Sequence, residues 1–341
     1  MKKANKITII VAIILVAAGI ALFAAGFAMM NFNFKEASDM KYTTNIHKIT
    51  EDFSSISINI SVADIAFVVS DSGESRVECY ENDKRIHTVA VNNGVLCIEE
   101  QKNFNMFNFI GIDFDHPRVT LYLSRTDFDS LHINSDTSLI VVPAEFSFRA
   151  ANIDNHTGDV SYNAPTATGL SIKTTTGRIM VSDISVSENI YLQANTGHVT
   201  LTSAQIDGHL FIHTTTGRIH LEDVDCGRID LESSTGDKTI LRLNCASLTS
   251  ESSTGRSNFT DVIAKGKISI EADTGDVKLE RCDAAELSIE TDTGDVSGSL
   301  LSEKIFYAET DTGRVRVPHT TTGGKCEVKT DTGNITFTVE K

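Results

Sequence analysis

The sequence predicts an all-β chain: a parallel β-solenoid of 19–20-residue windings, preceded by one transmembrane helix and a β-rich N-terminal cap. Three observations predict it. Thr-Gly recurs at Gly158, Gly177, Gly197, Gly217, Gly236, Gly255, Gly275, Gly294, Gly313 and Gly333, always 19 or 20 residues apart. Apolar residues keep the same clock on either side of each glycine. Residues 7–30 form an uncharged apolar run. With 40% hydrophobic and 22% charged residues, the composition excludes disorder. The formal net charge of -16 excludes a nucleic-acid partner, because such a surface repels phosphate backbones.

The elements are taken in chain order. Residues 1–6 carry Lys2, Lys3 and Lys6. The next 24 residues, 7–30, would span about 36 Å as a helix, enough to cross a bilayer. The cations place the N-terminus in the cytoplasm and residues 31–341 outside the cell, with the membrane itself as a partner. Residues 31–50 read as a polar stalk.

Residues 51–137 read as the cap and first windings of the solenoid. Ile56, Ile58, Ile60 and Val62 alternate, and Ile65, Phe67 and Val69 repeat the pattern. Asn82-Asp83 and Asn93-Gly94 mark turns between later strands. The stretch 103–116 holds five Phe among polar residues and reads as a buried hairpin or a protruding loop.

Residues 138–341 carry the repeat. Five before the glycine stand residues such as Ile172, Leu192, Ile212 and Ile270; four after it stand Val181, Leu201, Leu221 and Leu279. Spacing within each unit is two, the period of a strand with one buried face. Such a unit cannot bury that face alone, whereas stacked copies share one continuous core. At ~4.8 Å per strand, ten steps give a rod of roughly 50 Å. Glycine is expected at each corner because the corner needs a positive φ. Ser138 reads as a degenerate first copy, and the Thr-Gly at Gly323 as an incidental one. The last winding, from Asn334, is expected to leave an open edge.

Stacking also places side chains in columns. Glu232, Glu251, Glu271, Glu290 and Glu309 stand four before the glycine, with Lys173 and Lys329 expected at the ends of the column. Asp273, Asp292, Asp311 and Asp331 stand two before it. Two readings apply: a solvated face, or a strip taking Ca²⁺ as the one cofactor or metal contemplated. Arg178, His198 and Arg218 come directly after the glycine on three windings and form a basic patch for an anionic polymer, unless nearby carboxylates such as Glu222 and Asp223 take them. Cys226 and Cys245 stack on adjacent windings, as buried thiols or as a disulfide. Lys238 and Ser257 occupy slots otherwise filled by Val or Ile. No catalytic residue or cofactor motif emerges.

The chain resembles a bacterial family of β-strand-repeat proteins of unknown function, described as candidate adhesins. The resemblance rests on Phe53-Ser54-Ser55-Ile56-Ser57-Ile58, Ala63-Asp64-Ile65, Val119-Thr120-Leu121-Tyr122-Leu123, Phe128 to Ile133, and the Thr-Gly-x-Val/Ile units such as Thr274-Gly275-Asp276-Val277. It covers about residues 50–341. The chain departs from it at Ser124, where many relatives carry Pro. The resemblance implies a cell-envelope location and a non-catalytic adhesion, interaction or envelope-stress-sensing role, with an envelope polymer or protein as partner. The alternative is a β-helix enzyme acting on an envelope polysaccharide.

Overall fold

The computed structural model describes Val16, Gly19 and Ile20, residues 41–82 and 85–102, and residues 116–340. Val16, Gly19 and Ile20 are helical; the rest of the predicted membrane span, and Phe-rich residues 103–115, lie outside the described residues. Among the described residues no helix is long and apolar enough to cross a membrane.

In the middle of the rod each winding is one strand of 17 or 18 residues running from one glycine corner to the next, kinked six residues after the glycine. In one example, Leu210, Ile212 and Thr214 point inward, the chain turns at Gly217, and Ile219 and Leu221 point inward again. Neighbouring windings pair in parallel and in register: Leu210 lies beside Ile229, Ile212 beside Leu231, and Leu221 beside Ile240. The aliphatic side chains of all windings merge into one core, and most of them are sealed from solvent. Spacing of two therefore becomes a buried column for every alternate residue.

The positive φ expected at the glycine corner is present, and contact between windings adds a second constraint. Its φ is 140–158° at Gly236, Gly255, Gly275 and Gly294, well beyond the left-handed turn region of non-glycine residues. A Cβ on Gly236 would lie 1.8 Å from the Gly217 carbonyl oxygen, and one on Gly197 1.8 Å from that of Gly177. The true left-handed position comes six residues later and is never glycine. Asp183, Ser203, Asp223, Arg242, Asp261 and Arg281 hold φ of 52–56° there. Asp is among the residues that tolerate this conformation, through local hydrogen bonding.

Both ends depart from simple succession. At the N-terminal end the strands are β1 (Tyr42–Ile49), β2 (Ser55–Val62), β3 (Asp64–Val69), β4 (Ser75–Asn82), β5 (Arg85–Asn92), β6 (Val95–Lys102), β7 (Arg118–Leu123), β8 (Asp127–Thr137) and β9 (Ile140–Val142). The winding formed by β2 and β3 lies between β8/β9 and the outer pair β6/β7. β5 then closes antiparallel on β6 through Asn93-Gly94, both with positive φ, the turn this dipeptide favours. β4 runs antiparallel to β7, and β1 antiparallel to β4. At Ser124 the backbone N–H donates to Ser75 Oγ at 3.1 Å, a bond that proline could not make.

At the C-terminal end the final strands do not form the edge. Gly324–Thr332 inserts between Val277–Thr293 and Lys304–Thr312; Ile335–Val339 inserts between Val296–Leu300 and Val315–Arg316. The expected open edge at Asn334 is thus replaced by one at Lys304–Thr312. The Thr-Gly at Gly323 is not incidental. A Cβ there would meet the Glu303 carbonyl oxygen at 1.8 Å, and one on Gly324 that of Ala285 at 1.9 Å. Two bare residues let the returning chain slip between two windings. Gly298 is matched in the same way, because Phe337 fills the space its side chain would take.

Gly236→Ala is expected to destabilise the protein by about 3 kcal/mol or more, since backbone must move. Gly169→Ala is expected to change stability by less than about 1 kcal/mol, because its nearest neighbour would be 3.7 Å away. Thermal denaturation of both variants checks this pair.

Candidate interaction surface

The outward face of the sheet that precedes each glycine carries the columns. Glu251, Glu271 and Glu290 are exposed and stand in register, with half-exposed Glu232 before them. The strand insertion reorders the far end of the column. Lys329 pairs with both Glu290 and Glu309, so it stands inside the column rather than at its end. The aspartate column runs on the same face, and its spatial order is Asp273, Asp292, Asp331, Asp311. Carboxylates one winding apart repel by about 0.9 kcal/mol even in water. Lys329 separates Glu290 from Glu309 in this column, and its Nζ lies 3.4 Å from Glu327. His213 Nδ1, 3.1 Å from Glu232, borders the other end.

Toward the N-terminus the same face turns aromatic. Tyr191 and Phe211, six before their glycines, stack with ring centroids 4.9 Å apart. Lys173 Nζ lies 5.1 Å from the Tyr191 ring centroid, and His209 meets Phe211 edge-on. The Tyr191 hydroxyl donates to Gln193 at 2.8 Å, and Gln193 donates to Asn195 at 3.2 Å. Two half-buried rings thus lie side by side on this outward face, flanked by amides and a cation. Sequence reasoning missed this pair because on the outward face it followed only the charged columns; aromatics on consecutive windings at one outward position were the available signal.

The basic patch is partly consumed. Arg178 forms two side-chain bonds to Asp159, at 2.7 and 3.0 Å, and its backbone N–H donates to the same carboxylate. His198 Nδ1 accepts the Arg218 backbone N–H at 3.0 Å. The same device recurs at Asp237 with Arg256 and at Asp276 with Asp295. An acceptor one after the glycine thus satisfies the corner N–H of the next winding. Glu222 and Asp223, the alternative partners considered for the patch, are held by Arg242 instead. That guanidinium keeps both carboxyls below their usual range, chiefly through its hydrogen bonds. Arg281 does the same for Asp261.

Cys226 and Cys245 are free thiols on directly paired positions. Burial pushes both up, Cys245 to about 12. That removes the thiolate needed for reactivity.

Lys238 and Ser257 lie inside the core, both essentially sealed. Lys238 Nζ crosses the interior to Ser250 Oγ, 3.1 Å away, and to the Glu251 carbonyl. Among the described residues the nearby-winding hydroxyls of Ser233, Ser252 and Ser257 have no partner. Burial lowers the lysine's proton affinity to about 7. A serine beside such a lysine has the makings of a nucleophile. Both groups face the packed interior, however, where a substrate cannot reach them.

Because Lys238 binds its proton more weakly when folded, the unfolded chain holds more protons between about pH 7 and about pH 10.4. Stability from this group therefore rises with pH through that window. Lys238→Met is expected to be about 1–4 kcal/mol more stable than the parent at pH 7. The gain should shrink toward pH 10, as read by denaturation at several pH values.

Comparison with known proteins gives a family and several solved structures of low identity. No curated protein matches the chain. A solved candidate adhesin from Bacteroides fragilis shares 16% identity, with 89% of this chain and 99% of that one covered, at a TM-score of 0.29. A candidate lipid binding protein from Parabacteroides distasonis shares 13%, covering 88% and 98%, at 0.37. A candidate adhesin from Parabacteroides merdae shares 15%, covering 76% and 97%, at 0.29. The Toastrack DUF4097 family matches over residues 53–242 and again over 223–341, and the chain belongs to that family.

Proposed function

We propose that the protein is a non-catalytic adhesion or interaction module of the cell envelope. In this reading residues 7–30 anchor it in the membrane, and residues 31–341 project outside the cell. The Tyr191–Phe211 stack, set among Lys173, Gln193 and His213 on one regular outward face, carries the reading. Its ligand class is an envelope polysaccharide, whose sugar rings lie on aromatic faces while amides and a cation meet their hydroxyls. Repeated weak contacts along such a face add by effective concentration. The acidic columns act as a solvated, mutually repelling face that keeps rods apart. An envelope-stress-sensing role would use the same face, read through the anchor.

Sedimentation of the detergent-solubilised full chain with isolated wall polysaccharide tests the proposal. We expect co-sedimentation that falls at least tenfold in apparent affinity in a Tyr191→Ser/Phe211→Ser double variant. Equal binding by the double variant would overturn this choice of surface. A second expectation concerns the carboxylates: millimolar Ca²⁺ should leave the melting temperature unchanged, and a rise would restore the cation-strip reading.

A further inference from the structure

A second cluster of reactive side chains lies in the N-terminal cap, away from the outward face. β4 and β5 leave their short hairpin in different directions: β4 joins β7, whereas β5 joins β6. The two arms therefore straddle the interior at the end of the rod. Alternation on β4 turns Val77, Cys79 and Glu81 inward, and alternation on β5 turns His87 inward to meet them. Cys79 is fully buried, and the Glu81 and His87 side chains are 1% and 0% exposed.

The ligand-capable atoms of Cys79, Glu81 and His87 all lie within 4.8 Å of one another. His87 Nδ1 is 2.7 Å from Glu81 Oε2, and the His87 backbone N–H donates to the same oxygen. Asn45, on β1, donates to Glu81 Oε1 at 2.5 Å and orients the carboxylate. The other ring nitrogen, His87 Nε2, is buried without a hydrogen-bond partner among the described residues.

This arrangement is incomplete on its own. If the ring is neutral, a buried carboxylate is left without a compensating charge. If the ring is protonated, the charge is balanced but a buried N–H has no acceptor. Each state carries a deficit. A divalent cation bound by a thiolate, a carboxylate and an imidazole supplies the missing positive charge. Sulfur, nitrogen and oxygen together are the donor set of zinc. Tetrahedral bonds of ~2.0–2.3 Å put ligand atoms about 3.3–3.7 Å apart, within reach of small side-chain shifts.

We propose that Cys79, Glu81 and His87 form a three-ligand site for a zinc-class divalent transition metal, tying the two arms of the β4–β5 hairpin together at the end of the rod. On binding, the Cys79 thiol gives its proton to solvent and its sulfur becomes a ligand; no oxidant or reductant takes part. The site would stabilise the cap and, with it, the exposed end of the core.

The test uses the full chain in detergent, stripped with a chelator and titrated with Co²⁺. We expect one equivalent to give visible d–d bands and a near-ultraviolet thiolate-to-cobalt band, which Zn²⁺ then displaces. Zinc should raise the melting temperature by several degrees. His87→Gln should weaken cobalt binding at least 100-fold, and Cys79→Ser should abolish the thiolate band. Cys245→Ser, which alters a thiol elsewhere in the core, should change neither. Circular dichroism on each variant separates lost ligation from lost folding. Absence of the thiolate band in the wild-type chain would overturn the proposal whatever the variants do, as would its persistence in folded Cys79→Ser.

Discussion

Close approach of backbone to backbone at the glycine corners is the constraint on which the rest depends. One winding lies so near the next that the corner carbonyl of Gly217 occupies the place of a Cβ on Gly236. The Gly217 N–H donates to the Thr235 carbonyl, and the Gly236 N–H to that of Thr254. Once the corners are in register, the parallel ladders cannot slip, since a one-residue shift would turn the aliphatic columns outward. Core, outer columns and corner acceptors all inherit that registration.

Registration turns isolated residues into functional or structural sets. Asp159, His198 and Asp237 each sit one position after a glycine, and each accepts a backbone N–H from the next winding. Tyr191 and Phe211 are 20 residues apart in the chain and stack because one winding separates them. Repetition also tolerates local exceptions. Lys238 enters an aliphatic slot and is held by a serine and a carbonyl of its own winding. Its burial costs stability at neutral pH, and the surrounding windings hold it nonetheless.

The two ends solve the problem that repetition creates. A stack of open windings exposes unpaired backbone and apolar side chains at each terminus. At the start, antiparallel strands close over the core and bring Cys79, Glu81 and His87 together. At the finish, the last strands thread inward and leave Lys304–Thr312 outermost. Phe306, Ala308 and Val317 are only partly covered there.

The sequence by itself determined the winding length, the inward columns and the parallel stack, because a glycine every 19 or 20 residues and a period of two leave few other ways to bury the aliphatic residues. It also showed the Asn93-Gly94 hairpin, where local turn chemistry suffices. Tertiary structure alone decided which winding lies next to which at the ends. Nothing within the segment around Lys329 reveals that it will sit between Glu290 and Glu309, since that order depends on a returning chain passing two bare glycines. The Cys79–Glu81–His87 cluster was hidden for the same reason. Alternation turns each of these side chains inward, but only the divergence of β4 and β5 onto different neighbours makes them meet.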